Sequence, residues 1–139
     1  MKYGISESRQ TLGSRRQLLV IAGLLLHTSI RLRMRGYRTT IRTLPRSAAK
    51  EEIRLPSIKA TIDYLVWYLD GIGRYFPWVT CLSKSIVLWY WLNNHGIESN
   101  IVIGANNEAT FKAHAWVEID GKPINDDDKI LDRFTPLNL

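Results

Sequence analysis

The sequence predicts an α+β domain in which helices come first and a small antiparallel sheet follows. Three segments before residue 95 have helical apolar patterns, residues 100–104 form a short β-branched run, and residues 111–119 alternate and pair with 122–125 across an Asp-Gly turn. Helices followed by hairpin-connected strands are typical of this fold class. A chain of 139 residues is long enough for one core, so we expect a single compact domain.

The composition indicates a globular protein with a reduced thiol. Hydrophobic residues make up 45% of the chain and charged residues 23%, which excludes a disordered or fibrous protein. The single cysteine, Cys81, excludes an internal disulfide and favours a reducing compartment. We therefore expect a cytoplasmic protein.

Positive charge is concentrated in the first part of the chain. Residues 1–54 contain 12 Lys and Arg against 3 Asp and Glu, whereas residues 55–139 contain 7 against 10. A region this basic is compatible with an anionic partner. No nucleic-acid-binding motif accompanies it, so we interpret it as a solvated or partner-facing basic helix and expect no nucleic acid.

The front of the chain is predicted to be a tail followed by a basic helical region. Residues 1–14 are polar and are predicted to be flexible, and a helix is expected from about Arg15 to Arg35, ending near Gly36. A connector with a short helix between Pro45 and Pro56 follows. Together these segments define a basic N-terminal helical region at 15–56.

The apolar run Leu18–Leu26 within the first helix needs a separate interpretation. A basic flank before an apolar run is also found in secretory signals, but no small-residue cleavage site follows His27. The run is also well short of the ~20 residues that span a bilayer. We therefore expect a packed or partner-facing helix, membrane contact that is at most peripheral, and no export.

Residues 57–139 are predicted to form the core of the domain. Ser57 is expected to cap a second helix that ends at Asp70–Gly73, and Thr80 to cap a third helix that Gly96 terminates. The third helix is apolar on nearly all sides, which is typical of a buried central helix. The second helix has apolar residues at helical spacing, namely Ile58, Ile62, Leu65, Val66 and Leu69.

Cys81 is the candidate nucleophile because of its place at the start of the third helix. If Thr80 is the N-cap, the thiol lies at the positive end of the helix dipole, beside amide N–H groups that lack intrahelical partners. Both effects favour the thiolate, which is the reactive form. The backbone N–H of Cys81 is likewise a candidate oxyanion donor. A lone cysteine is more often a small buried hydrophobe, so its position alone is not sufficient.

His114 lies in the predicted hairpin and is the candidate base, since a cysteine enzyme needs an imidazole and a third group that orients it. With a two-residue turn at Asp120-Gly121, His114 faces Asp127, whereas a three-residue loop brings Asp126 to the same face. Glu118 shares that face but lies on the strand of His114, which makes it a less suitable partner. The hairpin pattern leaves Asp126 and Asp127 as alternatives.

No metal site or other cofactor is expected. The cysteine and the three histidines are not at ligand spacing, and Asn125–Asp128 lacks the alternation and the glycine of a calcium loop. We interpret His95, at the end of the third helix, as a structural residue, and we place His27 at the margin of the apolar run of the first helix.

Two blocks of the sequence are similar to a known family. The segments YFPWVTCLSKSIVLWYWLNNHGIESNIVIG and FKAHAWVEIDGKPIND resemble the lasso peptide biosynthesis B2 proteins, a branch of the transglutaminase-like cysteine protease superfamily. The resemblance rests on the TCL-x-x-S and AHAWVE-x-DG blocks and covers over a third of the chain. It implies a papain-like core in which Cys81 is the nucleophile, His114 the general base and acid, and Asp126 the orienting acid, with Asp127 in reserve.

The resemblance also implies a substrate and partners. In that family, B2 proteins remove the leader from a ribosomally made precursor, which frees the core peptide for an ATP-dependent macrolactam cyclase. We therefore expect a leader peptidase of the standalone form, which works with a separate leader-binding B1 protein and needs no metal or nucleotide. The alternatives are a transglutaminase-like acyltransferase and a non-catalytic basic binding module.

Overall fold

Three helices precede an antiparallel sheet, as the sequence predicts, and the sheet has four strands. The computed structural model describes residues 15–44, 57–106 and 109–137. The predicted tail at 1–14 and the predicted short helix between Pro45 and Pro56 lie outside these residues. The elements are α1 (Arg15–Thr43), α2 (Ser57–Tyr75), α3 (Cys81–Asn94), β1 (Asn100–Ala105), β2 (Ala113–Ile119), β3 (Lys122–Pro123), α4 (Ile130–Arg133) and β4 (Thr135–Pro136).

Helix α1 is broken at Gly36 and then continues. Gly36 has φ 79° and ψ 176°, which lies outside the helical region and is a conformation that glycine adopts without strain. The sequence prediction of an end near Gly36 therefore located the break correctly but missed the continuation to Thr43. Beyond the break, the buried Thr40 donates a hydrogen bond from Oγ1 to the Gly36 carbonyl at 2.7 Å, which holds the second segment against the first.

The length and composition of α1 would allow it to cross a membrane, with a mean hydropathy of 1.2 over its most apolar 18 residues. Buried helices of soluble proteins and signal sequences near the N-terminus share these properties. One side of the helix packs into the domain through Ile21 and Leu25. The opposite side leaves Leu19, Ile30 and Met34 more than half exposed.

Helix α2 is longer than predicted, because it continues past Asp70–Gly73 to Tyr75. Ile72 is packed against the core, so burial stabilises the last turn despite the two glycines. Gly73 also lies against the start of α3, since a Cβ atom there would be 3.5 Å from Val79 Cγ1 and 3.6 Å from Lys84 Cδ. The end of α2 is thus in contact with the helix that carries Cys81.

Helix α3 is the centre of the domain. It contacts α1, α2, β1 and β2, which explains why its sequence is apolar on nearly every side. It ends at Asn94, with His95 as the C-cap and Gly96 in the left-handed region that the sequence predicts. The core between the three helices and the sheet is made of Ile21, Leu25, Ile62, Tyr64, Leu65, Leu69, Val79, Val87, Leu88, Leu92 and Val117.

The hairpin has a two-residue turn, and its pairing is shorter than predicted. Asp120 and Gly121 both have positive φ, 50° and 77°, and Ile119 pairs with Lys122. Strand β2 begins at Ala113 instead of Phe111, and β3 ends at Pro123 instead of Asn125. One further backbone hydrogen bond follows, from Ile124 N to Val117 O at 3.0 Å. The N–H of Val117, however, binds the side-chain oxygen of Asn125 at 2.8 Å in place of a backbone carbonyl, and the ladder ends there.

The sheet has the order β3-β2-β1-β4, and β4 was not predicted from the sequence. This strand has only two residues, and the hydrogen bond from Leu137 N to Ile103 O, at 2.8 Å, extends its attachment to β1. Two residues are too few for a periodic pattern to be recognised. The return of the chain along β1 places Phe134, which precedes β4, over the face of the sheet that carries His114.

Gly104 makes room for a fully buried tryptophan on that face. Gly104 pairs with His114 across β1 and β2, and Trp116 lies next along β2 on the same side. A Cβ atom at Gly104 would be 2.8 Å from Trp116 Cη2 and 3.0 Å from Phe134 Cβ, closer than real side chains pack. The Trp116 ring therefore occupies the space that any larger residue at 104 would need.

We expect Gly104→Ala to destabilise the protein by about 1–3 kcal/mol, because the buried ring cannot move aside without disturbing its neighbours. Urea unfolding would measure the change. Gly23→Ala is the matched control, since a Cβ atom there meets nothing within 4 Å and alanine favours the helix. If Gly104→Ala were as stable as Gly23→Ala, the close packing of Trp116 would be contradicted.

Candidate active site

Cys81 is the first residue of α3, and the start of that helix is held by reciprocal capping. Thr80 is the N-cap, and its Oγ1 accepts a hydrogen bond from Ser83 N at 3.3 Å, while Ser83 Oγ accepts one from Thr80 N at 2.9 Å. The predicted N-cap is therefore confirmed. The thiol is partly exposed, and the N–H of Cys81 is in the first turn, where no helical carbonyl precedes it.

His114 is hydrogen-bonded through Nε2 to Asp126 Oδ2, and both side chains are mostly shielded from solvent. Because a carboxylate only accepts hydrogen bonds, Nε2 carries the proton in this contact. In the neutral imidazole the other nitrogen, Nδ1, then has a free lone pair. The pair can accordingly take up a proton at Nδ1 while the carboxylate stabilises the resulting positive charge.

Asp126 contacts His114 even though the turn has two residues. In the register set by a two-residue turn, the hairpin pattern would place Asp127 opposite His114. The reason is that the chain leaves the ladder at Asn125, so pairing cannot be extrapolated beyond β3. Asp127 is exposed, and its Oδ1 accepts a hydrogen bond from Lys129 N at 3.1 Å in the following turn. Of the two alternatives, Asp126 is the one that contacts the histidine.

The second oxygen of Asp126 is also engaged. Oδ1 accepts a hydrogen bond from Asp127 N at 2.8 Å, and the guanidinium of Arg133 lies 4.0 Å away. Arg133 is more than half exposed, so this ion pair is weak. The backbone hydrogen bond fixes the rotation of the carboxylate, which directs Oδ2 toward His114.

Cys81, His114 and Asp126 line one cleft of about 240 Å³ between α2, α3 and β2. Its apolar wall comes from Val66, Leu69 and Leu88, one helical turn or two from the polar groups. The three residues singled out in the sequence are therefore brought together, although they are up to 45 positions apart along the chain.

A buried serine links the elements that carry these three residues. Ser85 lies one turn after Cys81, and its Oγ donates to the carbonyl oxygen of Ala115, the neighbour of His114, at 3.2 Å. The same Oγ accepts from Nδ2 of Asn125, the neighbour of Asp126, at 3.4 Å. In the sequence, Ser85 is the serine of the TCL-x-x-S block.

Two aromatic rings flank the imidazole of His114. The centroid of the Phe134 ring is 5.3 Å away and that of Trp116 is 6.1 Å away. Trp116 is held in turn by a hydrogen bond from Nε1 to Glu118 Oε1 at 2.9 Å. This bond explains why Glu118 is not the partner of His114 despite lying on the same strand face.

An ion pair lies at the edge of the cleft. Lys84 Nζ is 2.9 Å from Asp70 Oδ1, and both residues line the cleft with Cys81. No Gln or Asn precedes Cys81 in the segment Gly73–Thr80 that could supply a side-chain oxyanion donor. Besides His114, the cleft residues with side-chain N–H donors are Lys84 and Asn125, and the backbone N–H of Cys81 is a further donor.

The remaining histidines have no part in the cleft. His95 donates a hydrogen bond from Nδ1 to the Trp91 carbonyl oxygen at 2.7 Å and stacks on the Trp91 ring. His27 is exposed on α1. Within residues 15–44, 57–106 and 109–137, no group of three or more His, Cys, Asp and Glu side chains is arranged to hold a metal ion.

Comparison with known proteins agrees with this geometry. Residues 22–139 match the model of the transglutaminase-like superfamily. The microcin J25-processing protein McjB of Escherichia coli is 36% identical to the chain over 55 residues, which are 40% of this chain and 26% of McjB. The matched stretch thus spans about a quarter of that relative, and no solved structure matches the chain.

The superfamily match covers most of the chain, and it also accounts for the architecture, in which a helix that starts at a cysteine packs on a small antiparallel sheet. The resemblance to B2-type proteins drawn from the sequence is in line with both findings. The chain belongs to the transglutaminase-like superfamily.

Proposed function

We propose that the protein is a cysteine peptidase that removes the leader peptide from a ribosomally made lasso peptide precursor. The observation that carries this proposal is the His114–Asp126 pair in the cleft that Cys81 also lines, within a transglutaminase-like domain. The similarity to a microcin-processing protein supports the class of substrate. The partial exposure of Cys81 argues against the alternative of a binding module with an inert, buried cysteine.

The reaction would proceed by acyl transfer. His114 takes the thiol proton at Nδ1, and Cys81 Sγ forms a bond to the carbonyl carbon of the last leader residue. The C–N bond then breaks as His114 returns the proton to the amine of the core peptide, which leaves a thioester on Cys81. Water attacks the thioester with His114 as the base, the C–S bond breaks, and the thiol is restored.

Asp126 would stabilise the imidazolium formed in each step. It accepts a hydrogen bond from Nε2–H and thereby keeps the ring in the tautomer whose Nδ1 can act on the thiol. The N–H of Cys81 is the first donor for the oxyanion of each tetrahedral intermediate. The aromatic rings of Phe134 and Trp116 limit the access of water to the His114–Asp126 contact.

Partners follow from the same proposal. A leader-binding B1 protein would deliver the precursor, and a macrolactam cyclase would use the released core peptide. The side of α1 that faces away from the domain leaves the apolar side chains of Leu19, Ile30 and Met34 more than half exposed. The helix also contains seven arginines and no acidic residue. We expect a partner with apolar and acidic groups to bind there.

The direct test is incubation of the protein with a candidate precursor, with and without B1, followed by intact mass measurement. We expect two fragments whose masses sum to that of the precursor plus one water. A transglutaminase-like acyltransferase would instead give a leader joined to an added amine, so a competing primary amine should be present in a parallel sample. An unchanged precursor under all conditions, B1 included, would contradict the proposal.

A further inference from the structure

Ser85 has a buried hydroxyl at the junction of the three chain segments that form the cleft. Its side chain is fully buried in a helix whose other buried residues are mainly apolar. Burying a hydroxyl is costly unless it is hydrogen-bonded, and here it both donates to Ala115 and accepts from Asn125. Without the Ser85 hydroxyl, the Ala115 carbonyl and the Asn125 amide would each lose a hydrogen-bond partner.

Both partners of Ser85 are adjacent in the chain to the proposed triad. Ala115 follows His114, and Asn125 precedes Asp126. Ser85 itself is four residues after Cys81, which puts the two on the same side of α3 one turn apart. A single hydroxyl group therefore ties together the helix of the nucleophile, the strand of the base and the segment of the acid.

Asn125 extends this connection. Its Oδ1 accepts the Val117 N–H at 2.8 Å, and this contact ends the β2–β3 ladder and turns the chain so that Asp126, and not Asp127, meets His114. Its Nδ2 donates to Ser85. The amide thus sets the path of the chain on one side and is anchored to α3 on the other.

From these contacts we infer that Ser85 and Asn125 are positioning residues, which hold the His114–Asp126 pair at the correct place relative to Cys81. The inference rests on the proposed function, because it concerns the same three side chains. Ser85 does not line the cleft, and the side-chain oxygen and amide of Asn125 are hydrogen-bonded to Val117 and Ser85. Their effect is on geometry, and small displacements of a base from its nucleophile lower the rate of the chemical step strongly.

Ser99 offers a matched control. It is also a buried serine, 4% exposed, and its Oγ accepts a hydrogen bond from the side chain of Asn93 at 2.9 Å. It lies just before β1, and neither Ser99 nor Asn93 lines the cleft. Ser85→Ala and Ser99→Ala therefore remove the same group from comparable surroundings, and only the first removes it from the site.

The test measures the rate at which iodoacetamide alkylates Cys81 at neutral pH, at a temperature where circular dichroism shows each variant to be folded. This rate needs no substrate, so it remains informative even if no precursor is cleaved. We expect Ser85→Ala to lower it about 5- to 50-fold and Ser99→Ala to leave it within about 2-fold. His114→Ala should lower it at least as much as Ser85→Ala.

The double variant Ser85→Ala/His114→Ala separates positioning from stability. If Ser85 acts through His114, the double variant should alkylate no more slowly than His114→Ala alone. A further slowing would overturn the inference, as would a rate for Ser85→Ala equal to that of Ser99→Ala. If instead His114→Ala itself has no effect, the coupling of Cys81 to His114 fails, and with it both the proposed function and this inference.

Asn125→Asp provides a second variant should Ser85→Ala fold poorly. It retains the oxygen that accepts from Val117 but removes the amide that donates to Ser85. With precursor as substrate, we expect it to lower kcat about tenfold or more while KM changes by less than about 2-fold. A change confined to KM would show that Asn125 acts on substrate binding and would overturn its assignment as a positioning residue.

Discussion

Replacing Cys81 by alanine should lower kcat/KM for precursor cleavage by roughly 10⁴-fold or more, because Cys81 is the single cysteine of the chain and the proposed reaction needs a thiolate. Fold stability should change little, since the side chain is only partly buried and its removal leaves the capping contacts of Thr80 and Ser83 in place. Intact mass measurement of the precursor over time gives the rate. Thermal unfolding of the variant checks that the domain is intact.

Cys81→Ser and the double variant Cys81→Ala/His114→Ala sharpen this prediction. Serine preserves the size of the side chain, so a loss of activity in Cys81→Ser indicates a need for the thiol and not for its packing. Residues of a triad act as a unit, and the double variant should therefore be no slower than Cys81→Ala. Cleavage within tenfold of the original rate in Cys81→Ala would show that the activity belongs to another site.

The predicted position of Cys81 was correct because the relevant information is local. Thr80 and Ser83 form a capping pair within four residues, and the apolar run that follows defines the helix without reference to any other element. His114 could be placed on a strand for a similar reason, since alternation and the Asp-Gly turn are both short-range signals. These two residues are the part of the site that a sequence pattern can locate.

Asp126, the proposed orienting acid, could not be located in the same way, because its position depends on a tertiary contact. Counting across a two-residue turn leads to Asp127, and only the capture of the Val117 N–H by Asn125 redirects the chain to Asp126. Asn125 is held by Ser85, which lies 40 residues earlier in the sequence. The resemblance to a family identified Asp126 by its place in a motif, without this physical reason.

The two aromatic rings that flank His114 could also not be predicted from a single sequence. Phe134 lies between a one-turn helix and a two-residue strand, where no periodicity develops. Its position over the imidazole follows from the pairing of β4 with β1, and from Gly104, whose missing side chain admits Trp116. Elements this short are determined by packing and not by intrinsic propensity.

Asp126→Asn should lower kcat/KM roughly 10²- to 10⁴-fold while Asp127→Asn leaves it within about 2-fold. Asparagine has the size of aspartate, and its side-chain oxygen can still accept a hydrogen bond from Nε2–H, so the geometry is retained. It carries no charge, however, and does not stabilise the imidazolium that forms when His114 takes the thiol proton. The amide can also turn its NH₂ group toward the ring, which would favour the wrong tautomer.

Asp127→Asn is the matched control because the substitution is identical and the residue is adjacent. Its Oδ1 accepts from Lys129 N, a role that the asparagine oxygen can continue to fill, and its side chain is exposed. Steady-state rates with the precursor, measured beside thermal unfolding of each variant, compare the two directly. Equal small losses in both would mean that neither carboxylate orients His114, and a larger loss in Asp127→Asn would reassign the acid to the position that simple hairpin counting indicates.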